Sequence, residues 1–243
     1  AVAGVLGWRA GAGFVIPLFV AVAAGIWFVV PARTSPPMDT ADEATAATAR
    51  RVVGAVLDRP VLIGTLAMSA MMFVYQTFTG FLPTFLVETK GFDQGTAATM
   101  LGVFFASAVV FQPLAGGFAD RYGQRRLMGA LAGVTVVTVG AFPLVDAVSA
   151  VGVLAAVAGA QLGFWPPAFA YVTPLLPDEL QGSGLGLLRT AFLLFGASGP
   201  VIVGRVADAG YFPEAFFSLA ALAALPAGLT ALLPADPNDR ENS

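Results

Sequence analysis

The chain has 243 residues, 57% of them hydrophobic and only 11% charged, with a net charge of −3. Soluble domains carry about 25% charged residues, so there is too little charge here to clothe a soluble surface, and the small net charge gives nucleic acid nothing to bind. The absence of His and Cys excludes a His-based triad, a Cys nucleophile, a disulfide and the usual zinc sites, and no metal or cofactor is expected.

Charges punctuate an apolar sequence whose mean hydropathy is +0.81. None falls in 10–32, 60–87, 94–119, 127–145, 147–177, 190–204 or 215–235. A helix needs roughly 20 apolar residues to cross the hydrocarbon of a bilayer, so each run reads as one spanning helix. The run 190–204 reaches that length by starting near Gly184 and taking in Arg189. A β-barrel would need alternating polar positions, and these runs are apolar on every face. The chain opens at Ala1, inside apolar sequence and without a secretory signal pattern, which reads as a truncated N-terminus. Between the first two spans, 33–59 carries Pro36, Pro37 and mixed charges, the composition of a linker. Its second half, Thr40 to Asp58, suits a short amphipathic surface helix. The other connections are short, so spans two to seven form one up-and-down bundle.

Lys and Arg orient the bundle, because they collect in cytoplasmic loops. Arg33, Arg50, Arg51, Arg59, Arg121, Arg125, Arg126, Arg189 and Arg240 lie on one side; Arg9, Lys90 and Arg205 lie on the other. The linker and the C-terminus are therefore expected in the cytoplasm of a multi-pass cell-membrane protein. A partial echo of 116–122 at 204–210, three spans apart, fits an internal three-plus-three repeat.

The turn after the third span, Gly116-Gly117-Phe118-Ala119-Asp120-Arg121-Tyr122-Gly123-Gln124-Arg125-Arg126, resembles the loop motif of the major facilitator superfamily, found between the second and third helices of each six-helix half. Gly116, Asp120, Arg121, Gly123, Arg125 and Arg126 fit it; Gln124 stands where a basic residue is usual. Gly7-Trp8-Arg9 resembles the approach to the last helix of an N-terminal half. Leu176 to Gly182, followed by Gly199, Pro200 and Gly204, resembles the fifth helix of a C-terminal half. The resemblance implies an all-α membrane protein with seven transmembrane helices, six of them forming one half of a twelve-helix fold. On that reading, 1–32 is the last helix of an otherwise missing N-terminal half and 33–59 a cytosolic linker. Residues 60–235 are then the C-terminal six-helix bundle, and 236–243 a cytosolic tail.

In that family the aspartate of the motif latches onto a helix of the other half, so the resemblance makes Asp120 a gating residue whose partner lies in the missing half. The competing role for Arg121, Arg125 and Arg126 is to set topology. Gly116 would allow close helix approach, and Gly123 a turn that side chains resist. Gly196, Gly199, Pro200 and Gly204 form a small-residue face for helix packing. Polar and aromatic residues within spans are costly in lipid and usually face the interior. The candidate substrate cavity is therefore Tyr75, Gln76, Thr79, Gln112, Gln161, Trp165, Tyr171 and Arg189, with interhelical bonding or packing as the alternative. For Arg189 the alternative is snorkelling to headgroups. Pro166 and Pro167 should break or bend their helix. No Asp, Glu or Lys lies near the centre of any span, so a coupling proton would titrate elsewhere.

These features point to secondary transport of a small solute by alternating access, with a small-molecule substrate, a coupling proton or ion left open, the lipid bilayer and the missing half as partners. A non-transporting scaffold or receptor on the same fold is the alternative. An enzyme would need clustered ionisable groups within the spans.

Overall fold

The computed structural model describes residues 8–29 and 42–235. The readings that fall on 1–7, 30–41 and 236–243 (Gly7, most of the first linker half, and the tail) lie outside the described residues. The chain divides into two compact units, Ala1–Thr45 and Ala46–Ser243. The first unit holds one 22-residue helix, α1 (Trp8–Val29), with Pro17 inside it. The linker helix α2 (Asp42–Val56) is amphipathic in composition and runs across the division between the two units.

The second unit is built from α3 (Arg59–Glu88), α4 (Gln94–Tyr122), α5 (Gln124–Ala141), α6 (Val148–Ala158), α7 (Trp165–Val172), α8 (Gln181–Asp208) and α9 (Phe212–Leu232). A 3-10 stretch, Gly159–Phe164, joins α6 to α7. With their short 3-10 extensions these make six helices long and apolar enough to cross a membrane, from Arg59 to Leu232. Six of the seven expected spans are thus present as such helices. The 28-residue α8 takes in Arg189.

Local chemistry sets the ends. Asp93 caps α4: its carboxylate accepts from the Thr96 backbone N–H at 3.0 Å and from the Thr96 hydroxyl at 2.6 Å. Those donors hold the carboxyl below its ordinary range, so the cap contributes at neutral pH and is lost as pH falls through that lowered value. Between α4 and α5 there is only Gly123, at φ 89°. It donates to the Ala119 carbonyl and accepts from Leu127 N–H, ending one helix and starting the next. A side chain at that φ is strained, which is why the turn can be one residue long.

α3 packs most extensively along α8, α9 along α5 and α3, and α4 along the Gly159–Phe164 stretch and α6. α3 is the central, most enclosed helix. Its C-terminal half sits in a phenylalanine core: Phe78 meets Phe104, Phe142 and Phe216 edge-on or tilted at 5.2–6.1 Å, and Phe85 stacks on Phe216 at 4.1 Å. The other half sits in a second core with Met68, Met71, Met128, Phe164 and Leu188. Surrounding lipid is as apolar as these side chains, so close packing rather than burial from water drives such contacts. Most hydroxyls turn back on their own helix, as Thr65, Thr135 and Thr138 do to carbonyls four residues earlier; this satisfies them without water.

Candidate functional site

The bundle has two ends. At one, the Lys90 ammonium, its side chain only 6% exposed, donates to the Pro143 carbonyl at 2.7 Å and to Asp146 at 2.5 Å. This bolts the α3–α4 turn to the loop after α5. At the other, the motif end, Arg125 Nη1 donates to the Leu233 carbonyl at 2.7 Å, and the Tyr171 hydroxyl donates to the Pro234 carbonyl at 3.0 Å. The last carbonyls of a helix carry no intrahelical partner and attract cations. Arg125 at the start of α5 thus caps the end of α9. Loss of a charge-assisted bond to a carbonyl costs about 1.5–3 kcal/mol when buried, less at this half-exposed site. Arg125→Ala is expected to lower the unfolding temperature of the detergent-solubilised chain by a few degrees, whereas Arg121→Ala, whose guanidinium rests over the Tyr122 ring at 5.4 Å, leaves it nearly unchanged.

Asp120 lies on the exposed face of α4 in its last turn, with no ion pair among the described residues. Beside it, Gly116 and Gly117 have nothing within 4 Å of where a Cβ would sit. Arg121 and Arg126 are exposed, and Arg125 is half-buried. The aspartate and its glycines therefore lie on an open helix face, while one arginine of the motif ties the bundle together.

The small residues of α8 meet α3. A Cβ on Gly196 would collide with Met72 and lie 2.7 Å from Gln76 Nε2; one on Gly199 would overlap Thr77 Oγ1 and sit 3.1 Å from the Phe73 carbonyl; one on Gly204 would reach Phe81 at 3.2 Å. Pro200 is half-buried beside them. A second close approach has the same character. A Cβ on Gly159 would collide with Ser107 and the Phe104 carbonyl, and one on Gly163 would lie 3.1 Å from Ala115 Cβ. Gly159 and Gly163 thus let the 3-10 stretch press on α4. Their Gly-x-x-x-Gly spacing is the sequence signal for such a close approach.

The break between α6 and α7 begins at Gly159, seven residues before Pro166. Pro166 and Pro167 have no N–H to offer the carbonyls of Leu162 and Gly163, and the tighter 3-10 winding takes up the lost register. Gln161 sits inside this break. It is 1% exposed, its amide N–H meets Met71 Sδ at 3.5 Å, and its Oε1 has no protein partner. Thr77 Oγ1 is likewise buried and unpartnered.

The expected cavity residues divide accordingly. Gln161 and Tyr171 are enclosed within the bundle, and Tyr171 is engaged with Pro234. Thr79 is half-buried and its hydroxyl turns to the Tyr75 carbonyl. Gln112 is exposed on α4. Tyr75, Gln76 and Trp165 are half-buried and Arg189 is exposed. Gln76 lies against Gly196 of α8; one turn away Phe192 meets the Trp165 ring of α7 at 5.5 Å and 33°. Gln76, Trp165 and Arg189 are thus linked to α8 and its neighbours, Gln76 through Gly196, Trp165 through Phe192, and Arg189 through the Phe169 ring at 6.0 Å. Arg189 has no acidic partner among the described residues.

A bundle of six long apolar helices, with an Asp-Arg pair ending the second of them just before the turn into the third, is an architecture suited to a membrane. The profile of the Major Facilitator Superfamily matches residues 93–243, and the chain belongs to that family. It is a multi-pass membrane protein of a transporter family rather than an enzyme. Among curated relatives, a multidrug resistance efflux pump of Streptococcus pneumoniae, PmrA, is 31% identical over 132 residues, 53% of this chain and 33% of the pump. A gallate transporter of Pseudomonas putida is 29% identical over 180 residues, 70% of this chain and 39% of the transporter. The solved structure of the E. coli fucose:proton symporter FucP superposes with a TM-score of 0.69 at 16% identity, over 95% of this chain and 56% of the symporter; that likeness concerns the fold. The chain spans between a third and two-fifths of the length of the curated relatives it matches.

Proposed function

We propose that this chain forms the C-terminal half of a secondary transporter that moves a small solute across the cytoplasmic membrane by alternating access. Helix α1 is then the last span of the N-terminal half and 33–59 the cytosolic linker; the motif end of the bundle and the C-terminus face the cytoplasm. The partner is a second six-helix half, and lipid surrounds the rest. The observation that carries this reading is the open α4 face. Asp120 has no ion pair among the described residues, and Gly116 and Gly117 have nothing within 4 Å of where a Cβ would sit, as suits a surface that another helix must reach in one state and leave in the other. The named activities of the pump and the gallate transporter support transport of an organic solute and leave its direction open.

In this reading Tyr75, Gln76, Trp165 and Arg189 line the translocation cavity, and the glycine contacts of α8 with α3 and of Gly159 and Gly163 with α4 keep the bundle rigid as it rocks. Within the described spans every Asp and Glu sits at a helix end, so a coupling proton, if used, titrates in the other half. The test is counterflow in proteoliposomes holding the full-length gene product. Exchange of a labelled organic solute that saturates and stops on heat denaturation supports transport. A correctly inserted protein that exchanges none of a broad panel of organic solutes favours the scaffold or receptor reading instead.

A further inference from the structure

Resting on the transporter reading, the geometry points to a substrate class: Arg189 with the aromatic wall of Trp165, Phe169 and Phe192 forms a site for a small aromatic carboxylate. Trp165 meets Phe192 at 5.5 Å and 33°, and Phe169 at 6.4 Å and 35°; Phe169 meets Phe192 at 6.2 Å and 63°. The wall is built from α7 and α8, and its inner ring, Phe192, is 2% exposed. Trp165 and Phe169 are only half-buried, so aromatic surface remains free for another ring to lie against at the offset or tilted geometries such rings prefer. The Arg189 guanidinium lies 6.0 Å from the centre of the Phe169 ring. It is drawn across to the wall, which holds the fork beside the aromatic surface.

Helix geometry separates Arg189 from the apolar outside of α8. At about 100° per residue, Arg189 lies about 20° from Gly196, the residue packed on Gln76 and Met72, and about 120–160° from Leu187, Leu194 and Val201. Those three, with Phe195, Ile202 and Val206 at about 100–140°, form the exposed apolar stripe, from 38% to 70% exposed; Leu193, 43% exposed, stands outside it, about 40° from Arg189. A lipid-headgroup anchor belongs on the stripe; Arg189 is on the side of Gln76. It lies about 12 Å along α8 from Gln181 by the helix rise and has no carboxylate partner among the described residues. An arginine presents a planar fork that matches a carboxylate in two parallel hydrogen bonds, and the adjoining rings favour a planar apolar body attached to it. The amide of Gln76, further along the same face, adds hydrogen-bonding capacity for ring substituents.

Calorimetric titration of the chain in phosphatidylcholine nanodiscs tests this, with benzoate, benzamide, acetate and inorganic phosphate as probes. Benzoate is expected to bind at least tenfold more tightly than each of the others. Arg189→Gln is expected to lose that advantage while benzamide binding is unchanged, and Trp165→Leu to weaken both aromatic probes; circular dichroism identifies any variant that fails to fold, and Arg189→Lys, with partial retention, replaces Arg189→Gln if that one does. The assignment is overturned if folded wild type does not prefer benzoate. It is equally overturned if Arg189→Gln leaves the preference intact, or if its one effect, in parallel nanodiscs that also contain phosphatidylglycerol, is weaker retention of that lipid, the mark of a headgroup anchor. Counterflow of some other solute with no benzoate binding removes this substrate class and leaves transport standing; benzoate binding with no flux does the reverse.

Discussion

Gly199→Val is expected to be the most destabilising single substitution on the α3–α8 seam. The first added carbon would overlap Thr77 Oγ1 and sit 3.1 Å from the Phe73 carbonyl and 3.3 Å from its ring. The hydroxyl is part of a short, stiff side chain, and the carbonyl belongs to the α3 backbone, so neither can move aside cheaply. The two helices must separate along their whole line of contact, and overpacking of this kind costs about 1–3 kcal/mol or more. For a domain of this size each kcal/mol corresponds to about 2–4 °C. A drop of several degrees is therefore expected when unfolding in detergent is followed by circular dichroism. Gly199→Ala in a Thr77→Ala background should recover part of the loss seen for Gly199→Ala alone, because the overlapping oxygen is gone; the two positions are coupled, so the double variant departs from additivity. Thr77→Ala alone should cost little, since Thr77 Oγ1 has no partner to lose.

The second large effect is on turnover. Asp120→Asn keeps size and shape and removes the charge, and Asp120 has no ion pair among the described residues, so folding and insertion should be unaffected. If its carboxylate engages the N-terminal dipole of a helix in the other half, neutralising it removes about 0.3–1 kcal/mol, or up to about 2 kcal/mol if partly buried. Near the upper bound, an imbalance between the two access states of that size slows exchange by more than tenfold, at about 1.4 kcal/mol per decade. The expected result in proteoliposomes is a lower maximal rate of solute exchange with little change in half-saturation. An unchanged rate would place Asp120 among residues that only set topology.

Sequence and structure agree where a property is local. Uncharged runs became the six long helices because spanning length and apolarity are written residue by residue. Gly123 became a one-residue turn because only its φ permits one. The proline pair announced a broken helix, although the break starts at Gly159 rather than at Pro166, since winding upstream absorbs the missing hydrogen bonds. What stayed hidden depends on which interior a side chain faces. Gln161 is polar and within a span, and the cost of exposing it to lipid says only that it turns inward; that it turns into the six-helix bundle, beside Met71, follows from the 3-10 winding. Arg125 reaches Leu233, 108 residues away, through a backbone carbonyl, and a carbonyl leaves no mark in a sequence. The Gly159 and Gly163 pair was legible in principle, but its meaning depends on α4 lying across it.

The central claim is that these helices cross a bilayer with the arginine-bearing turn inside the cell. The chain contains no Cys, so a single cysteine can report on its own position. Gln124→Cys, in the motif turn, and Ala147→Cys, in the loop at the opposite end, would each be expressed in intact cells and exposed to a membrane-impermeant maleimide. The account predicts immediate labelling at 147 and labelling at 124 only after the membrane is permeabilised. Labelling at 124 in intact cells, or equal labelling at both positions, would contradict it.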